Sequence, residues 1–127
     1  GAVGISNHQG SKATADRGTM EAVLQEVKRR NLFFLDSFVT RESVCRDLAR
    51  RLQLPFAQRS VFLDNAESPQ AIYQSLMELV RLAKQEGQAI GIGHDRSVMM
   101  GMLQKAVPAL EEAGYTLVPV SELLESP

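Results

Sequence analysis

Short apolar runs alternate along the chain with stretches whose apolar positions recur every three or four residues. The first run is Ala2-Val3-Gly4-Ile5, and the polar segment from Asn7 to Gly18 after it reads as a loop. Met20, Val23, Leu24 and Val27 then fall at i, i+3, i+4 and i+7, one face of a helix. Asn31 suits the left-handed position just past such a helix. Leu32-Phe33-Phe34-Leu35 is a continuous apolar run, the pattern of a strand buried on both faces. Thr40 can cap a second helix that carries Val44, Leu48 and Leu52, with Leu54-Pro55 ending it.

Val61-Phe62-Leu63 is the third run. Ser68-Pro69 pairs a capping residue with proline at the first helical position, and Ile72, Leu76, Leu79, Val80 and Ala83 keep helical spacing up to Gly87. Ala89-Ile90-Gly91-Ile92-Gly93 is the fourth run. A helix from about Ser97 to Ala113 follows, kinked or broken at Pro108 and closed by Gly114. Tyr115-Thr116-Leu117-Val118 is the fifth run, and Ser121 caps a short terminal turn over Glu122-Leu123-Leu124. Strands separated by helices imply right-handed crossovers and parallel pairing, so the class is α/β, with parallel strands alternating with helices. Periodicity leaves open whether the strands form an open sheet or part of a closed barrel.

A length of 127 residues suits a single domain over residues 1–127. The formal net charge of -1 provides no global field for nucleic acid or an anionic membrane surface. Basic residues do cluster at Lys28-Arg29-Arg30 and at Arg46, Arg50 and Arg51, but late in expected helices, where cations suit the dipole and water. The lone cysteine, Cys45, excludes an internal disulfide and falls among apolar helix positions, as a buried thiol does. No apolar run approaches the ~20 residues of a membrane span. The chain opens on Gly1 without Met or a basic, apolar leader.

In parallel α/β folds, sites lie beyond the carboxyl ends of the strands. Residues 6–11, Ser6-Asn7-His8-Gln9-Gly10-Ser11, follow the first run. Asp36-Ser37 follow the second, Asp64-Asn65 the third and His94-Asp95 the fourth. An aspartate after a strand is often a turn residue and a lone histidine often structural. Here, however, four of five strand ends deliver a His or an Asp to one edge, including both histidines of the chain. Such a set can run metal-assisted or acid/base hydrolysis: a carboxylate takes a proton from water and a histidine protonates the leaving group. HxxxH, CxxC and HExxH spacings are absent, so a metal site would be assembled from separate strands. Gly91-Ile92-Gly93 is followed by Arg at position 96, which leaves the GxGxxG fingerprint incomplete. The two glycines read instead as a close approach of the strand to a neighbour. A phosphate loop and a GxSxG elbow are also missing.

These strand ends resemble the motifs of the divergent polysaccharide deacetylases, a branch of the carbohydrate esterases of the nodulation-factor deacetylase type. Residues 6–11 are similar to N-N-H-M-G-S, Leu32 to Ser37 to F-F-L-D-S, Val61 to Asn65 to V-F-L-D-N, Ala89 to His94 to A-I-G-I-G-H, and Leu117 to Ser121 to L-V-P-V-S. The resemblance implies the C-terminal portion of such a domain, about half of an irregular (β/α) barrel. The earlier strands, with an Asp-Asp and a His-Pro motif, are expected to lie outside this stretch. It implies His94 and Asp36 as catalytic residues, His8 as a ligand of a divalent metal such as zinc, and Asn7, Ser11, Ser37 and Asp64 as substrate-binding. It further implies a glycan substrate, export to the periplasm or cell envelope, and open sheet edges that allow self-association. The sequence departs from the pattern at Ser6, Gln9, Ser60 and Asp95, where Asn, Met, Asp and Pro are usual.

Three functions compete. The first is a metal-dependent deacetylase of acetylated glycans. The second is a non-catalytic carbohydrate-binding or envelope scaffold protein on the same fold. The third is a five-stranded doubly wound domain, disfavoured by the lack of paired acids and a phosphate loop at the first strand. Helices on both sheet faces would mark the doubly wound form, and helices on one face the barrel form.

Overall fold

A computed structural model describes residues 1–125. The chain is α/β, with parallel strands alternating with helices. It divides into two compact units: Gly1–Arg59 with the segment from Val120 onward, and Ser60–Pro119.

The first unit contains β1 (Gly4–Ser6), α1 (Ser11–Ala15), α2 (Arg17–Arg29), β2 (Phe33–Asp36), α3 (Cys45–Leu52) and β3 (Phe56–Gln58). The strands form a parallel sheet in the order β1-β2-β3, with Gly4 beside Phe33 and Phe34 beside Phe56. A Cβ on Gly4 would lie 2.4 Å from the Phe33 ring, so any side chain there requires the ring to shift. Met20, Leu24 and Val27 of α2 and Cys45, Leu48 and Ala49 of α3 pack in one core with Phe34 and Phe56. Both helices therefore cover the same sheet face. As a consequence β2 alternates: Phe34 and Asp36 are buried while Phe33 and Leu35 are half-buried, where the continuous apolar run predicted burial on both faces.

Asp16 caps α2 by accepting from the Thr19 amide at 2.8 Å, inside the segment read as loop, and α1 also falls there. Asn31 takes φ 61°, the Leu32 amide donates to the Val27 carbonyl and the Asn31 amide to the Lys28 carbonyl, which closes α2 as expected. Thr40 does not cap α3. The helix starts at Cys45, and the Thr40 hydroxyl accepts from the Glu42 amide within a preceding turn. β3 was hidden behind the Leu54-Pro55 stop, being three residues long and too short to show alternation.

The second unit contains β4 (Val61–Phe62), α4 (Pro69–Glu86), β5 (Gly91–Ile92) and α5 (Ser97–Glu112). β4 and β5 pair in parallel, and Leu63, Ile72, Leu76 and Met99 form the core. Ser68 caps α4 ahead of Pro69, and Gly87 ends it at φ 89°. A Cβ on Gly91 would lie 3.0 Å from Leu79 and 3.1 Å from Leu63, and one on Gly93 3.2 Å from Met99. The glycines thus admit core side chains, refining the expected close approach to a neighbouring strand. α5 runs through Pro108 without a break. Tyr115 to Val118 form no strand: Thr116 and Leu117 are exposed, and no described strand pairs with them. The described strands form one sheet of three and one of two.

Candidate functional site

In the first unit, Asn7 follows β1 and Asp36 closes β2, so the parallel register sets their side chains beside one another. The Asn7 amide nitrogen donates to Asp36 Oδ1 at 3.1 Å and to Thr14 Oγ1 at 3.3 Å. Its oxygen accepts from the Ser37 amide at 2.7 Å and the Ser37 hydroxyl at 3.0 Å. Two donors and two acceptor positions are all a carboxamide has, so the Asn7 side chain is saturated. Asp36 is completely buried. Besides Asn7, its carboxylate accepts from the Phe38 amide at 2.9 Å and the Ser43 hydroxyl at 2.6 Å. Among the described residues no buried side-chain polar atom lacks a partner, so this network is closed as well as buried.

Arg59, just past β3, reaches back over the same loop. Its Nε donates to the Ser37 carbonyl at 2.6 Å and its Nη2 to the Phe38 carbonyl at 2.9 Å, while the guanidinium lies 5.8 Å from the centroid of the Phe38 ring. Partial burial draws the guanidinium pKa down, and the Asp36 charge opposes that. His8 is exposed beside two consecutive left-handed residues, Gln9 at φ 57° and Gly10 at φ 74°. Ser11 opens α1 and is exposed.

In the second unit, Asp64 follows β4 and His94 follows β5. The two meet twice: the His94 amide donates to Asp64 Oδ2 at 2.8 Å, and His94 Nδ1 lies 3.0 Å from Oδ1. The Asp64 side chain is 1% exposed and the His94 side chain 47%. Burial pushes the Asp64 carboxyl up, but the hydrogen bonds from the His94 ring and amide outweigh it and hold the group below the usual carboxylate value. An ionised acceptor at Nδ1 fixes the proton on that nitrogen and leaves Nε2 as the basic one. This carboxylate–imidazole arrangement supports both general acid–base work and metal ligation.

The structure thus joins Asn7, Asp36 and Ser37 in one network and Asp64 with His94 in another. Phe38, Ser43, Thr14 and Arg59 were not legible beforehand. Ser43 and Thr14 were read as helix and loop positions, and Arg59 follows a strand too short to detect. Cys45 is buried, and burial pushes its thiol up to about 11, as a structural thiol requires.

A fold of alternating helices and parallel strands, with polar side chains at the carboxyl ends of those strands, defines the class. The chain belongs to the divergent polysaccharide deacetylase family, whose model matches residues 1–124. It is 36% identical over 99% of its length to uncharacterized protein YibQ of Escherichia coli K12, covering 39% of that protein. It is 32% identical over 87% of its length to an uncharacterized protein of Haemophilus influenzae Rd, covering 40% of it. The chain therefore spans about two-fifths of these relatives. The crystal structure of an uncharacterized protein from Agrobacterium tumefaciens C58 matches 95% of this chain and 49% of its own, with a TM-score of 0.93 and 27% identity.

The zinc implied by the resemblance meets an incomplete donor set. Among the described residues no three His, Cys, Asp or Glu side chains gather as a metal cage.

Proposed function

We propose that this chain carries part of the active site of a deacetylase acting on acetylated glycans, exported to the periplasm or cell envelope. The observation that carries the reading is the Asp64–His94 pair at two parallel strand ends. In this reading His94 Nε2 takes a proton from water as its oxygen adds to the acetyl carbonyl, and gives that proton to the departing amine or alkoxide as the bond from carbonyl carbon to nitrogen or oxygen breaks. Asp64 is the positioning residue, holding Nδ1–H and stabilising the imidazolium that forms in the cycle. In this reading a divalent metal would need ligands beyond the described clusters. Family membership supports the substrate class.

The test is acetate release from an acetylated glycan by the complete polypeptide. Loss of a positioned acid–base group costs about 10²–10⁴-fold in rate, so His94→Ala should fall by that amount with its melting temperature held. Full activity in His94→Ala would sink the reading. A second reading, glycan binding without catalysis, is favoured by one observation: Asp36 is completely buried and its carboxylate is occupied by three internal donors. Stoichiometric glycan binding with no acetate release would establish it.

A further inference from the structure

Phe38 adopts φ 55°, a backbone conformation that is strained for a bulky side chain. Asn31 and Gln53 share that region, but they sit at helix ends, where the geometry is ordinary. Phe38 ends no helix. It stands two residues past the carboxyl end of β2, on the edge where sites form in this class of fold.

Three contacts hold the strained residue in place. Asp36 Oδ1 accepts from its amide, Arg59 Nη2 donates to its carbonyl, and the Arg59 guanidinium lies 5.8 Å from the ring centroid. The ring is half-buried and belongs to neither core cluster. Strain of this kind persists only where the surroundings over-determine it, and it gathers at ligand clamps. A glycine would adopt this backbone without penalty. What phenylalanine adds is a flat apolar surface, fixed in orientation at the functional edge.

We infer that Phe38 is a sugar-stacking platform, taking the apolar face of a pyranose ring on the ring face opposite Arg59. The clamp from Asp36 and Arg59 sets the tilt of the platform. This rests on the glycan reading above and deepens it by naming a subsite: a neutral acetylated hexose, recognised by its C–H face.

The experiment measures binding of a soluble N-acetylglucosamine tetramer to the complete polypeptide by calorimetry, alongside thermal melting. Phe38→Gly removes the platform and relieves the backbone strain. Binding at least about tenfold weaker, as loss of an aromatic anchor brings, is expected with an unchanged or raised melting temperature. Phe38→Tyr, which keeps a ring, should bind within about threefold of the native protein, a difference well under the tenfold that corresponds to 1.4 kcal/mol. Native affinity in Phe38→Gly overturns the inference and leaves the glycan reading standing. Weakened binding together with a lowered melting temperature marks Phe38 as structural and also overturns it. Absence of tetramer binding by the native protein overturns both.

Discussion

Asp64 holds His94 by two hydrogen bonds, one from the histidine amide and one involving its ring Nδ1. The amide bond sets where the residue sits, and the ring bond sets which nitrogen carries the proton. Because Asp64 is buried and His94 is exposed, the pair runs from an anchored carboxylate outward to an exposed imidazole.

Acid should expose this pairing. The folded-state pKa of Asp64 is depressed, so its contribution is fully present above the unfolded carboxylate value and is lost as pH falls through the folded one. Melting temperature should therefore be insensitive to this group from neutrality down to about pH 4 and decline below it. In Asp64→Asn the decline between about pH 4 and pH 2 should be shallower than in the native protein. Parallel curves over that range would show that the pair contributes nothing to acid sensitivity.

Asn7 is predicted to be a stability residue. Truncation to Ala strands the Ser37 amide and removes one donor from buried Asp36. Leaving buried partners unsatisfied costs about 1–3 kcal/mol each, so Asn7→Ala should lose at least about 2 kcal/mol in denaturant unfolding. A loss under about 0.5 kcal/mol, the ordinary surface range, would contradict a closed network.

Gly4 makes a steric prediction. Gly4→Ala places a methyl group 2.4 Å from the Phe33 ring, in the paired register of β1 and β2. Forced overpacking typically costs about 1–3 kcal/mol, and a drop in melting temperature should report it. A neutral Gly4→Ala would mean that the ring moves aside freely.

Cys45 should be chemically silent. Burial raises its thiol to about 11, the Asp36 charge adds to that, and the Ser43 hydroxyl opposes it. The thiolate is the reactive form, so alkylation by iodoacetamide at about pH 8 should be slow in the native protein and fast after denaturation. Rapid labelling of the native protein would show that α3 opens locally.

How far the sequence carried these conclusions differs by residue. The strand ends at Asp36, Asp64 and His94 were legible because parallel α/β folds place polar residues there and the apolar runs before them are clear. The closures at Asn31, Gly87 and Gly114 were legible because left-handed positions select Asn and Gly. β3 was not, since three residues carry no period, and with it went Arg59. Tyr115 to Val118 had the composition of a strand, yet a strand needs a neighbour to pair with, and composition does not report one. Asn7 had the residue type of a substrate contact. Its saturation by Thr14, Asp36 and Ser37 depends on contacts up to 30 positions away in the chain, which local pattern does not encode.

The most direct test of the central claim is the tautomer of His94, read from nitrogen-15 chemical shifts of the imidazole at a pH where the ring is neutral. A protonated Nδ1 with a bare Nε2, reverting toward the Nε2–H form in Asp64→Asn, is the predicted result. An Nε2–H tautomer in the native protein, unchanged by Asp64→Asn, would contradict it, because the carboxylate would then not be orienting the histidine for acid–base work.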